Sequence, residues 1–144
     1  MAKMVDISGK PDVPRVAMAT GFIRLKPATM KAIKKNKIPK GDVLTVAKTA
    51  AILAIKRTTE IIPLTHPIPI TGADVDFKVE NEGVRITVEV KSTGKTGVEM
   101  EALAGVAAGL LTVWDMVKGL EKDEAGQYPT TSIEEIKVLK KVKG

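Results

Sequence analysis

The chain has 144 residues, no cysteine, 44% hydrophobic and 28% charged residues, and a formal net charge of +6. That length suits one domain with a sizeable core, and the missing cysteine excludes disulfides, thiolate metal ligation and a cysteine nucleophile. The positive balance favours an anionic partner without separating a phosphorylated metabolite from nucleic acid, although Phe22, Phe77, Trp114 and Tyr128 are the only aromatics that could stack on a base.

Residues 1–14 contain Gly9, Pro11 and Pro14 with little periodicity and read as a mobile N-terminal arm of a single domain spanning 1–144. The N-terminus lacks the apolar core of a leader, and no run looks long enough to span a bilayer, so the expectation is a cytoplasmic chain without a membrane partner. Residues 16–25, rich in apolar and small side chains, predict a strand. Pro27 opens a short helix reaching about residue 36. After Lys40-Gly41, Asp42 can cap a helix through Lys56-Arg57, whose many alanines imply close burial against something flat, such as a sheet.

Pro63, Pro67 and Pro69 then forbid a helix and impose an extended backbone, with His66, the only histidine, held among them. A lone histidine in such a place is either structural or a polar group fixed at a site, and no HExxH or Cys/His spacing marks a metal. Val75, Phe77 and Val79, and then Val84, Ile86, Val88 and Val90, alternate with polar residues around Asn81-Glu82-Gly83, which predicts a hairpin with one buried and one wet face. Gly94 and Gly97 bracket Lys95-Thr96 before a helix over 98–121. A phosphate loop would need glycine where Glu89 stands, and Glu99 and Glu101 would repel phosphate at the helix start, so that reading fails. Residues 126–132 form a loop and 133–142 a last strand. Strand, helices, strand, strand, helix, strand is the order of an α+β, ferredoxin-like fold: a four-stranded antiparallel sheet with helices packed on one face.

Along the long helix, Glu101, Gly105, Ala108, Thr112 and Asp115 share one line. Acids at its ends and small residues between suit either helix packing or the wall of a site. Lys40, His66, Glu99, Glu101, Asp115 and Lys118 together offer carboxylates beside lysines, acids and bases close enough to suit proton transfer. Spacing alone leaves an unspecified acid/base site.

Lys40-Gly-Asp-Val, Ala54-Ile-Lys-Arg-Thr58, Ile62-Pro-Leu-Thr-His-Pro67, Thr93 to Leu103 and Trp114-Asp-Met-Val-Lys118, in this order, resemble the cyclic pyranopterin monophosphate synthases, also called molybdenum cofactor biosynthesis protein C. Met4 to Ser8 and Val13 to Ala17 resemble that family's N-terminus, so the likeness covers nearly the whole chain. It implies an enzyme, a phosphorus–oxygen lyase. The substrate would be 3′,8-cyclo-7,8-dihydroguanosine 5′-triphosphate, rearranged to cyclic pyranopterin monophosphate with release of pyrophosphate. The resemblance places Asp115, Lys118 and Lys40 at the chemistry, and Leu64, Thr65, His66, Glu99, Met100, Glu101, Arg15 and Lys141 at the substrate. In this reading Lys40, Arg15 and Lys141 hold the triphosphate, Asp115 and Lys118 exchange protons, and Glu101 and His66 orient the base. It implies no resident cofactor or metal beyond Mg2+ accompanying the triphosphate, and a homo-oligomer, a hexameric trimer of dimers, with sites between subunits. The chain departs from the family at Thr65, often a cysteine there, and at its C-terminus, where Lys143-Gly144 replaces a longer glycine-rich tail.

Two other classes compete. A nucleic-acid-binding module predicts strong salt-dependent binding and aromatics on the sheet. A non-catalytic oligomeric regulator binding a nucleotide leaves Asp115 and Lys118 without a task.

Overall fold

The computed structural model describes residues 1–144. Its elements are β1 (Val13–Arg24), α1 (Pro27–Lys34), α2 (Val43–Lys56), α3 (Thr58–Ile61), β2 (Ile70–Val79), β3 (Gly83–Gly94), α4 (Glu99–Glu121) and β4 (Ser132–Lys143). The strands form one antiparallel sheet in the order β2-β3-β1-β4, the interleaved ferredoxin-like α+β topology. The period-2 pattern of the hairpin gives the burial it implies: Val84, Ile86, Val88 and Val90 are fully buried under the helices, while Arg85, Thr87 and Glu89 point the other way.

Several boundaries differ from the sequence expectation. Both hairpin strands begin before their alternating apolar runs, and β3 also ends after its own, because backbone pairing continues past the last apolar side chain of the run. Strand β1 starts at Val13, inside the stretch read as an arm. Helix α1 stops at Lys34, with Asn36 in the left-handed conformation (φ 54°) just beyond, a common helix stop. Asp42 caps α2 as expected, accepting from the Thr45 N–H at 3.2 Å.

The alanine-rich face of α2 meets α4 more than it meets the sheet. Gly105 makes this approach possible, and Gly109 lets α4 lie close on strand β3. A Cβ on Gly105 would stand 2.9 Å from Ile55 Cγ1, and one on Gly109 would stand 2.5 Å from Ile86 Cδ1. Gly105 therefore serves packing within the chain, not the approach of a substrate or neighbour. Ala108 and Thr112 remain half-buried on the flank of α4. By length and apolarity α4 could cross a membrane, but half of its most apolar window is buried inside the fold, which marks it as a core helix. Ala102, Val106, Leu110, Val113 and Val117 supply its core stripe.

Glu121, fully buried at the last turn of α4, was not anticipated as important. Its carboxylate accepts from the Lys26 N–H at 3.0 Å, from the Thr29 hydroxyl, and from the Thr131 hydroxyl at 2.6 Å. It thereby takes up the N–H of Lys26, which precedes α1, and a hydroxyl of that helix's first turn, and it ties the helix to the approach of β4. A glutamate at a helix C-terminus opposes the dipole, and that mismatch is the sequence signal for a special role. Glu121→Ala leaves two buried hydroxyls and an N–H without an acceptor. It is expected to cost about 3 kcal/mol in urea-unfolding free energy, whereas Glu121→Gln, which keeps one acceptor, costs less.

Candidate active site

The N-terminal end of α4 and the proline-stiffened loop before β2 enclose a cavity of about 190 Å3. Leu64, Thr65 and His66 line one side and Glu99, Met100 and Glu101 the other, with Thr96 and Gly97 between. The loop holds its shape through the Thr65 hydroxyl, which donates to the Ile62 carbonyl at 2.8 Å. Its histidine is tied to the N-terminal arm: Nε2 lies 2.7 Å from the Val5 carbonyl, an atom that can only accept, so Nε2 carries the proton. Lys95 fastens the arm further on, donating to the Lys10 carbonyl at 3.0 Å.

Arg15 and Lys141 stand on the helix side of the sheet at this same end. Arg15 faces Ser92 in the β1–β3 register, and Lys141 faces Ala17 in the β1–β4 register. Lys141 Nζ is 3.5 Å from Glu99 Oε1, and Arg15 Nε donates to the Gly94 carbonyl at 3.4 Å. The three buried side-chain polar atoms of the protein without a protein partner are Arg15 Nη2, Ser92 Oγ and Glu99 Oε2. Such atoms normally find a partner. That Arg15 and Ser92 are paired neighbours, with Glu99 opening the helix at the same end, makes this a place prepared for a polar ligand or for water.

Glu101 is 5% exposed, and burial pushes its carboxyl above the ordinary carboxylate value, with the charge of Glu99 adding to the effect. The folded chain therefore holds this proton to higher pH than the unfolded chain, so stability falls as pH rises through the window above the ordinary value. Glu101→Gln, which does not titrate, is expected to raise the melting temperature at pH 8 by about 3 °C. The gain should vanish below the ordinary carboxylate range; differential scanning calorimetry across pH checks the trend.

The second cluster lies at the other end of α4. Asp115 is bracketed by two lysines, with Lys40 Nζ 2.9 Å from Oδ2 and Lys118 Nζ 3.3 Å from Oδ1. The i,i+3 spacing brings Lys118 alongside. A turn from Ile38 to Gly41, closed by Gly41 N–H to Ile38 O at 3.0 Å and permitted by the glycine's φ of 113°, delivers Lys40. Hydrogen bonds from Lys40 and then Lys118 hold the Asp115 carboxyl below its ordinary value. A cavity of about 410 Å3 adjoins the trio, bordered by Pro39 and the last turn of α4.

Glu101 and Asp115 share a helix face but are not neighbours. Fourteen residues at about 1.5 Å each separate them by about 21 Å. The expectation of one carboxylate wall containing both is corrected accordingly, and Lys40 does not sit beside Arg15 and Lys141 in one subunit. The sequence reading also missed Thr96 and Gly97, although both fall in the stretch between the two glycines and the helix that singled out this region.

A ferredoxin-like α+β domain with cavities bordered by charged side chains at the two ends of its longest helix is suited to an anionic small molecule that gains and loses protons. Among such proteins the chain belongs to the MoaC family, whose sequence profile matches residues 4–144. It is 56% identical over 142 residues to a probable cyclic pyranopterin monophosphate synthase of Archaeoglobus fulgidus, covering 99% of this chain and 91% of that protein. A protein of the same printed name from Aeropyrum pernix is 58% identical over 143 residues, covering 99% and 98%. Another, from Pyrococcus furiosus, is 56% identical over 141 residues, covering 98% and 90%.

Proposed function

We propose that this protein is a cyclic pyranopterin monophosphate synthase of molybdenum cofactor biosynthesis, acting on the cyclised, GTP-derived triphosphate. The observation that carries the reading is the meeting, in one cavity, of the two segments whose sequences resemble the family's substrate-binding stretches, Leu64–His66 and Glu99–Glu101. Arg15 and Lys141 border the same place and supply positive charge for phosphate. Glu101, which burial lets hold its proton to higher pH than an ordinary carboxyl, can donate to or accept from the base, and His66 presents its other ring nitrogen.

The proton-exchanging pair Asp115–Lys118 must act on the same ring system, yet it lies about 21 Å away along α4. The site is therefore built between two copies of the chain, with the front cavity of one facing the lysine–aspartate trio of the other. Exposed apolar side chains support an assembled state: Met100 and Leu111 on α4, and Ile136, Val138 and Val142 on β4, an edge strand with its outer backbone unpaired. A trimer of such dimers is the assembly this reading favours. It needs no resident cofactor, since Mg2+ would arrive with the triphosphate, and it places the protein in the cytoplasm with the nucleotide pool.

Incubation with 3′,8-cyclo-7,8-dihydroguanosine 5′-triphosphate should release pyrophosphate and form the cyclic pterin phosphate in equal amounts. Unchanged substrate after prolonged incubation with the folded protein would overturn the proposal. Binding of nucleic acid has little support: Phe22, the aromatic on the outer sheet face, is buried beneath the guanidiniums of Arg24 and Arg85, 5.7 and 5.1 Å from its ring centre. Those guanidiniums are themselves held by Glu80, Glu82, Glu134 and Glu135.

A further inference from the structure

The Glu101 side chain borders two cavities. Besides the front cavity that it shares with His66 and Met100, it lines a second of about 80 Å3, formed by the end of α2, by α3 and by residues 67–70. This rear space is lined by Ile55, Lys56, Thr58, Thr59, Pro67, Ile68 and Ile70, and the exposure of Lys56 and Pro67 shows that it reaches the surface. Its size suffices for several water molecules, which need about 10–15 Å3 each by this measure. Polar partners for them exist. The Thr58 hydroxyl is spent on the Ala54 and Ile55 carbonyls, at 2.9 and 3.1 Å, but the half-buried Thr59 hydroxyl has no protein partner.

The position matters because Glu101 is otherwise closed in. A substrate in the front cavity would cover the side bearing His66 and Met100, and α4 itself covers the flank towards Ala102 and Gly105. A carboxyl that takes a proton from substrate must lose it again before the next turnover. We propose that the rear cavity is a water path through which Glu101 exchanges its proton with solvent while substrate fills the front, and that Thr59 positions the first water of that path. In the step, the Glu101 O–H bond breaks and the proton passes to water and then to bulk, leaving the carboxylate; the reverse reloads it. The charged and titratable groups around Glu101 are Glu99 on its own helix, Lys56 on α2 and His66 on the loop, with Lys141 on β4 paired to Glu99 and Arg15 on β1 at the same end. This inference rests on the proposed synthase reading for its kinetic consequence, but not for the proton path itself.

Thr59→Val keeps the shape of the side chain and removes its hydroxyl; Thr59→Ser keeps the hydroxyl. Carbon-13 NMR of the labelled Glu101 carboxyl, assigned by its loss in Glu101→Gln, needs no substrate. Thr59→Val should move its titration midpoint to higher pH, and Thr59→Ser should leave it where it is. In turnover of the cyclised triphosphate, Thr59→Val should lower kcat by about tenfold with little change in KM, and should do no further harm in a Glu101→Gln background. A Glu101 midpoint unchanged by Thr59→Val, or an equal loss of kcat with and without Glu101, overturns the path. Failure of the wild-type protein to release pyrophosphate would instead strike the synthase reading, and the NMR titration would still decide whether the Thr59 hydroxyl and its water reach the Glu101 carboxyl.

Discussion

Asp115→Ala lowers the rate of cyclic pterin phosphate formation by about 10²–10⁴-fold, the usual share of one acid/base group, and leaves the fold intact. The fold survives because the side chain is 57% exposed and its ion pairs with Lys40 and Lys118 lie at the surface, where such pairs contribute little to stability. The rate falls because the carboxylate is what aligns the two ammonium groups, from opposite sides, at 2.9 and 3.3 Å. Lys118→Ala should fall by a similar factor, and the double variant should be little worse than either single one, as expected of groups that act as a unit. Asp115→Asn separates charge from shape: it keeps the volume but loses the ionic attraction, and should resemble alanine. Since Lys40 and Lys118 hold the Asp115 carboxyl below its ordinary value, Asp115 keeps its charge to lower pH than an ordinary aspartate. A loss of rate on acidification that sets in above the ordinary carboxylate range therefore belongs to another group, and the buried Glu101 is one whose shift runs in that direction. Stopped assays of kcat against pH, with Glu101→Gln as the comparison, check the attribution. Near-normal turnover in folded Asp115→Ala and Lys118→Ala would remove these residues from the chemistry.

The parts of this fold that were legible in the sequence are those where one face is buried and the other wet. The alternation of Val84, Ile86, Val88 and Val90 encodes a strand because burial of one sheet face imposes period 2, and the structure buries all four completely. Asp42 before an apolar-periodic run encodes a helix start for an equally local reason, a side-chain oxygen reaching a free N–H. The candidate site was legible only as short stretches. The neighbourhood of Leu64–His66 and Glu99–Glu101 depends on how the loop before β2 crosses the start of α4, and no local pattern carries that information. The same is true of Lys141 and Glu99, which meet because β4 lies beside β1. The stripe Glu101-Gly105-Ala108-Thr112-Asp115 misled for a different reason. Helical periodicity reports direction around the axis, not what stands opposite, so a glycine packed against Ile55 and one left open for a ligand look alike. Nor does a shared face make a shared site when about 21 Å of helix lies between its ends.

Two inactive variants, Glu101→Gln and Asp115→Ala, should regain activity when mixed under conditions that let subunits exchange. In a two-fold, isologous pair each site takes its front cavity from one chain and its lysine–aspartate trio from the other. A mixed pair then contains one site carrying both lesions and one carrying neither. Random exchange makes half of all pairs mixed, and each mixed pair restores one of its two sites, so the mixture should approach about one quarter of the wild-type rate per chain. A site contained within one chain predicts no recovery at all, because every chain carries a lesion. The contrast is large because each variant alone is expected to sit at least about a hundredfold below wild type. Its geometric basis is the distance along α4, a property of any straight helix, and it does not depend on the orientation of a single side chain. An additional substitution, Leu111→Glu, places a charge on the exposed apolar flank of α4. If that flank faces the partner, it should weaken assembly in analytical ultracentrifugation and abolish the recovery in the mixture. An assembly and a recovery both unaffected by Leu111→Glu would move the contact to the edge of β4, where Ile136, Val138 and Val142 present the other exposed apolar surface.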